Sequence, residues 1–503
     1  MAGQTDSVDT PNPEYLEMAE SWNLVDTLLG GTKRMREAAQ KYLPQEPAES
    51  DAAYKHRLNR SYLFEGYKRS VETLIGRPLM ETVSFTNEMG DDFQDWMNDV
   101  NLQGVDINAF TREVFFSAVH HGLTHILVDY PRSAGPQRLD QQRRAKLRPY
   151  GVHLPAKDVI AWRTESKGHL DVLSHLRFKR VVKKREGNWS YKEVEQIYVM
   201  DLNHDPDKDE MIQGLSEENS FVLLRVYEQN DAGEWDLIDD PEVLTIPEIP
   251  LVTIYANRKG FMISEPTLMG VADLNVAHWQ SASDQRNILH VCRVPILFGK
   301  HLSTKTTGDG DEILDFEIGI NRLIHSDHEN GDLKYVEHTG AAISAGEQDL
   351  ENLKDEMTTL ALEVMTKRSG NVTATEKAID SASANGPLVG MVRALQTGLN
   401  KMLKFMGMWS KREDYGMVDV NTDFRIAIDN ADLETLWKAR LNGDITVETF
   451  WNECLRRGVL NEDFDADTEK KALQKEKEEN DLPTPPNPGS AFGQVEDEEE
   501  EVE

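Results

Sequence analysis

The chain has 503 residues, 39% hydrophobic and 29% charged, with a formal net charge of −34. That length exceeds one ordinary core and predicts two to four structural regions, while the acidic balance disfavours a protein that reads DNA grooves. Two cysteines, Cys292 and Cys454, make no disulfide framework and fit a reducing compartment.

Residues 1–13 are polar and predicted to be disordered; MAGQTDSVDTPNPEY has no apolar core and is not expected to act as a secretory leader. LEMAESWNLVDTLLGG predicts a helix ending at Gly30-Gly31, and KRMREAAQKYL a second, stopped by Pro44. SDAAYKHRLNRSYLFEGYKRSVETLIG predicts a third, unbroken to Gly76. VDINAFTREVFFSAVHHG, 105–122, predicts another helix, followed by the short strand THILVDYP and the basic loop PRSAGPQRLDQQRRAKLRP. Between 150 and 255 the texture turns to β, with HLDVLSHLRFKRVVKKREGNW, EVEQIYVMDL and SFVLLRVYEQNDAGEWDLI as strand-rich segments.

Ser264 is the expected N-cap of a helix of about 28 residues, roughly 40 Å long. VPILFG follows as a compact strand, then an acidic, turn-rich segment from Ser303 to Gly331 with GINRLIHSD and DLKYVEH as strand candidates. Ser344 and Glu347 form a capping box for a second long helix. On it Leu350, Leu353, Met357, Leu360 and Val364 make one apolar seam. In TKRSGNVTATEKAID, Lys367 and Arg368 suit a helix C-terminus, Gly370 ends the helix, and Thr373 caps the next with Glu376. That helix breaks at Asn385-Gly386-Pro387 and resumes as LVGMVRALQTGLNKMLKFMGMW. DLETLWKARLNGDITVETFWNECLRRG gives two short helices around Gly443, and 481–503, proline-rich and then acidic, is predicted to be disordered. No run approaches the ~18 apolar residues of a membrane span.

Candidate chemistry is sparse. No G-x-x-x-x-G-K-[ST] loop occurs, so nothing supplies both a phosphate-binding lysine and a magnesium-holding carboxylate. His120, His121 and His125 cluster in VHHGLTH, but without HExxH they read as capping and packing residues before zinc ligands. Asp205, Asp207 and Asp209 imitate the start of a calcium loop whose glycine and terminal glutamate are missing; Asp309 and Asp311 carry the same ambiguity. The basic runs Lys179, Arg180, Lys183, Lys184, Arg185 and Arg143, Arg144, Lys146, Arg148 read as solvated strand or loop before nucleic-acid contacts. No metal, cofactor or catalytic residue is expected, and the chain is not read as an enzyme.

The order of features resembles the portal proteins of tailed bacteriophages. TLLGGTKRMREAAQKYLPQEPAESDAAYKHRLNRSYL with VETLIGRPL is similar to their helical opening, and FFSAVHHGLTHILVDYP to a helix–strand unit of the wing. PLVTIYANRKGFMISEPTLMGVADLNVAHWQSASDQRNILHVCRVPILFG resembles the entry to the first stem helix, and GDLKYVEHTGAAISAGEQDLENLKDEM the exit from the clip into the second. NVTATEKAIDSASANGPLVGMVRALQTGL is similar to the helix after the tunnel loop, and the stretch from Asp432 to Asn480 to the crown.

The resemblance implies an α+β, mainly helical portal fold. Its parts would be a wing (14–263), a first stem helix (264–293), a small β-rich clip (294–343), a second stem helix (344–366), a tunnel loop with its wing helix (367–425) and a crown (426–480). It further implies a homo-oligomeric ring, usually dodecameric, at one capsid vertex of the virion after assembly in the host bacterial cytoplasm. Expected partners are double-stranded DNA in the channel, the terminase large subunit, major capsid or scaffold protein, and head–tail adaptor or tail proteins, with no membrane. Lys367, Arg368, Ser369, Gly370 and Asn371 would face DNA; the seam leucines, Met357 and Val364 would pack the stem. Asp309, Asp311, Glu312, Asp315, Asp327 and Glu329 would meet terminase or adaptor. Alternatives are another capsid-associated minor structural protein and, further off, a metal-dependent nucleic-acid-processing enzyme.

Overall fold

A computed structural model describes residues 7–85, 89–131, 147–167, 170–202, 221–230, 232–244, 246–293, 296–301, 304–306, 312–314, 328–336, 341–365, 386–422, 430–456, 459–460 and 464–480. The chain is α+β and divides into two compact units, Met1–Thr422 and Asp423–Glu503.

The first unit opens with α1 (Pro13–Leu29), α2 (Gly31–Ala38), α3 (Asp51–Arg60) and α4 (Gly66–Gly76), then β1 (Ser84–Phe85), α5 (Asp91–Met97), α6 (Ile107–His121), β2 (Leu123–Asp129) and β3 (Tyr150–Leu154). A large antiparallel sheet follows, of β4 (Val159–Lys167), β5 (Leu170–Glu186), β6 (Ser190–Leu202), β7 (Val222–Gln229) and β8 (Trp235–Leu237), with β9 (Glu242–Leu244) also on β7. Next come β10 (Leu251–Tyr255), β11 (Arg258–Gly260), β12 (Ile263–Ser264) and the long helix α7 (Met269–Cys292). The insert holds β13 (Ile296–Lys300), β14 (Thr304–Thr306), β15 (Glu312–Leu314) and β16 (Asp332–Val336), before α8 (Ala341–Met365), α9 (Gly386–Ser410) and β17 (Val418–Asp419). The second unit contains α10 (Asn430–Leu441), α11 (Val447–Arg456) and α12 (Ala466–Asn480).

The core of the first unit is the three-stranded sheet β10-β2-β3, on which α6 and α9 pack. Every residue of Leu123–Val128 is buried, so β2 reads as one apolar run instead of an alternation. Helix α6 is bounded as its sequence demands. Asp106 Oδ1 accepts from the Ala109 amide at 2.8 Å, and Gly122 ends the helix at φ +86°. A Cβ at Gly122 would strike the Glu265 carbonyl, so only glycine lets the chain before α7 pass so close.

Four expectations shift. The helix expected across 50–76 breaks between Arg60 and Gly66, because groups from elsewhere satisfy the backbone there. Asn275 Oδ1 accepts from Tyr67 N (2.9 Å), its Nδ2 donates to Phe64 O (2.8 Å), and Thr32 Oγ1 accepts from Leu63 N (3.1 Å). Ser264 is not the cap of α7. It lies in β12, its hydroxyl donates to His121 O at 3.2 Å, and the helix starts five residues later. Ser344 is likewise no cap, since α8 begins at Ala341. Residues 7–12, expected to be disordered, lie against the large sheet: Asn12 Nδ2 donates to Trp162 O (2.8 Å), Arg177 donates to Val8 O (2.8 Å), and Val8 joins a cluster with Ile160, Ala161, Ile197 and Val199.

In the second unit Thr446 Oγ1 caps α11 by accepting from Thr449 N at 3.1 Å, and Trp437 meets Phe450 with ring centroids 6.0 Å apart. Among the described residues no helix is long and apolar enough to cross a membrane.

Candidate functional site

Two features carry the functional question: the paired long helices around the insert, and a buried polar cluster at the C-terminus of α6.

Helices α7 and α8 run antiparallel, as their contacts step in opposite senses. Gly270 approaches Leu360, Ser281 Oγ donates to Asp349 Oδ2 (2.6 Å), and Gln285 Nε2 donates to Ile343 O (2.9 Å). Each helix is about 36 Å long at about 1.5 Å per residue. The other side of α7 is held by α1, α3 and α4. Ser61 Oγ donates to Ser283 Oγ (2.9 Å) and Arg60 to Asn287 Oδ1 (2.9 Å). Of the seam residues, Met357 is buried, Leu350, Leu353 and Leu360 are half-buried, and the side chain of Val364 lies outside the described residues. The exposed positions of α8 are strongly acidic, with Glu347, Asp349, Glu351, Asp355 and Glu356. Between the helices the insert forms two two-stranded antiparallel sheets, β13-β16 and β14-β15. Glu312 pairs with Thr306 in the second, and Glu329 is exposed in a turn. Asp309, Asp311, Asp315, Asp327 and the stretch Lys367–Asn371 lie outside the described residues. So do Asp205, Asp207, Asp209, Arg143, Arg144, Lys146, Thr373 and Glu376.

His120 and His121 end α6, and both aim Nε2 at Asp26 of α1, at 2.7 and 2.9 Å from Oδ1. Lys157, on the 3-10 turn Ala156–Asp158, pairs with Oδ2 of the same carboxylate. Burial alone would raise the Asp26 pKa, but the two imidazoles and the ammonium outweigh it and hold it well below the usual carboxylate range. A charged Asp26 makes both Nε2 atoms donors, which leaves His120 Nδ1 to accept from Tyr67 O–H at 3.0 Å. Burial lowers the His120 pKa, only partly offset by Asp26. His125 does not join them. It sits in β2, bonds Thr253 Oγ1 through Nδ1 at 3.0 Å, and burial pushes its pKa down to about 3.

The Asp26, His120 and His121 ligand atoms lie within 4.8 Å of one another, so they have the donor set and spacing of a metal centre. The surroundings favour an ion-pair knot instead. Lys157 already brings positive charge to the carboxylate. A cation would also force both rings to switch tautomer, leaving a His121 Nδ1–H buried with no acceptor among the described residues. The knot therefore ties α1, α6 and the turn at Lys157 together. Sequence reasoning found the histidines but not Asp26, which lies 94 residues away from His120 and carries no local signal. A second knot was equally invisible. Asp201 binds His175 Nδ1 and the Arg225 guanidinium, each at 2.6 Å, across β5, β6 and β7.

The family described as "Domain of unknown function (DUF4055)" matches residues 267–410, a span that holds α7, the insert, α8 and α9. No curated protein matches the chain. Among solved structures, "Neck of empty GTA particle computed with C6 symmetry" is similar at 11% identity and a TM-score of 0.40, covering 78% of this chain and 90% of that one. "Neck of native GTA particle computed with C12 symmetry" is similar at 10% identity and a TM-score of 0.37, covering 76% and 88%.

Proposed function

We propose that the chain is a portal-type head–tail connector, a ring subunit without catalysis of its own. The observation that carries this reading is the antiparallel pair α7–α8 enclosing a small β insert, in the chain order in which a portal places stem, clip and stem. In this reading residues 264–293 and 344–366, which hold α7 and most of α8, are the stem and residues 294–343 the clip. The crown, 426–480, falls in the unit that begins at Asp423. The ring would pass double-stranded DNA driven by the terminase large subunit, sit in major capsid or scaffold protein, and receive adaptor or tail proteins at the clip.

Physics supports this role in two ways. The half-buried seam residues Leu350, Leu353 and Leu360 of α8 would be covered further when copies stand side by side. The exposed carboxylates of α8, if they line a bore, repel phosphates and let DNA slide. Lys367 and Arg368 would then be the transient phosphate contacts in the tunnel loop. Electron microscopy of the purified full chain tests the proposal: closed rings with a central hole are expected. A monomer at every concentration and salt tried would overturn it.

A further inference from the structure

Strands β5 and β6 run on past the sheet that holds them. The last β4 pair on β5 is Val159↔Phe178, and the last β7 pair on β6 is Gln196↔Glu228. Beyond these, the pairs from Val181↔Glu195 to Glu186↔Ser190 form a two-stranded ribbon that extends for about 20 Å at about 3.4 Å per residue. Its turn, Gly187–Trp189, is reached with Gly187 at φ +70°.

A two-stranded ribbon is marginal alone in water, and most side chains of this one are exposed among the described residues. Trp189 is 95% exposed, Tyr191 67% and Val181 60%. Trp189 and Tyr191 put large apolar surface at the projecting tip and Val181 adds some at the ribbon's root, exposure of the kind that marks a contact surface. Both ribbon edges lie beyond their neighbouring strands, which leaves backbone groups able to pair with another chain. The ribbon is also basic in an acidic protein. Residues 179–195 carry six cations against three carboxylates, while the whole chain stands at −34. Lys184 and Lys192 face each other across the ribbon, a like-charged pair that weakens it in isolation. Glu228 meets Lys184 at 2.6 Å.

We infer that the β5–β6 ribbon is an assembly arm, whose aromatic tip and basic flanks dock on the acidic surface of a second copy of this chain. The inference rests on the ring reading and names the segment through which one subunit reaches the next. A head-to-tail contact of this kind joins two different faces, as ring closure requires. Nucleic acid is the poorer partner. Glu186, Glu193 and Glu195 interleave with the cations, and the whole chain's net charge of −34 repels a polyanion.

The test places a photo-crosslinking benzoyl-phenylalanine at position 189 of the full chain, with a second variant, W189S/Y191S, compared by sedimentation. The ribbon packs no core, so both variants should keep the wild-type far-ultraviolet spectrum. The expected result is a covalent dimer of this chain on irradiation, and at least a tenfold rise in the concentration at which W189S/Y191S assembles. Rings that assemble equally well in W189S/Y191S and give no crosslink from position 189 overturn the arm and leave the ring reading standing. Crosslinked dimers without rings under any condition overturn the ring and keep the arm. Absence of both removes both. Crosslinks only to nucleic acid or to a different protein overturn the arm as a self-contact.

Discussion

Lowering the pH from 7 to 4.5 should destabilise the first unit through its buried imidazoles. His125 is sealed in the central sheet, and burial pushes its pKa down to about 3. His278, on α7 beside the Phe64 ring, has no hydrogen-bond partner on either nitrogen among the described residues. Burial first, and then Lys354, push it down to about 4, with Asp349 opposing. Both folded values lie below the unfolded value of about 6.5. The unfolded chain therefore takes up protons first. The stability these groups give is complete above about pH 6.5 and is lost as pH falls towards the folded values. Between pH 7 and 4.5 each group forfeits about 2–3 kcal/mol, or about 5 kcal/mol together. Other groups act in the opposite sense over this range. Burial raises the pKa of Asp158 and Asp284, and the net charge of −34 declines on acidification. The decisive quantity is therefore the difference between wild type and His125→Asn or His278→Gln. Urea unfolding followed by tryptophan fluorescence, at equal oligomeric state, should show each substitution flattening the pH dependence by about 2 kcal/mol. An unchanged dependence in both variants would refute the assignment of buried, neutral imidazoles.

Gly122→Ala should cost about 3 kcal/mol or more, because it adds both a positive-φ penalty and a collision with the Glu265 carbonyl; a melting temperature within 2 °C or so of wild type would contradict it. Asp201→Asn removes the carboxylate that holds both the buried Arg225 guanidinium and His175 Nδ1, and should cost about 3 kcal/mol in chemical denaturation. On α8, Met357→Asp should lower the melting temperature more than Leu353→Asp, since Met357 is buried and Leu353 half-buried. The reverse order would mean that the seam faces another way.

The sequence located what local rules govern. A helix was legible over 105–122, a short apolar strand after it, and a long helix on each side of the insert, although both long helices start away from their expected caps. It misplaced what distant groups decide. Ser264 looked like a cap because its hydroxyl has the right chemistry, but His121 O, 143 residues earlier, engages that hydroxyl. The gap between α3 and α4 has no proline or glycine at Ser61–Glu65 to announce it; Asn275 and Thr32 hold it open from outside. The two knots at Asp26 and Asp201 join strands and helices by side chains whose spacing follows no period. The ribbon was legible as strand and as basic, but its projection past β4 and β7 depends on where those neighbours stop pairing.

The carbonyl of His121 accepts from Trp22 Nε1 at 2.9 Å and from Ser264 Oγ at 3.2 Å. One peptide group is thus a rivet through three pieces: the first helix, the end of α6 and the root of the long helix α7. A pull along α7 is delivered to α1 and α6 at that point before any connecting segment can stretch. The opening helix, α6 and α7 would transmit load as one stiff lever, and compliance would have to come from elsewhere in the chain.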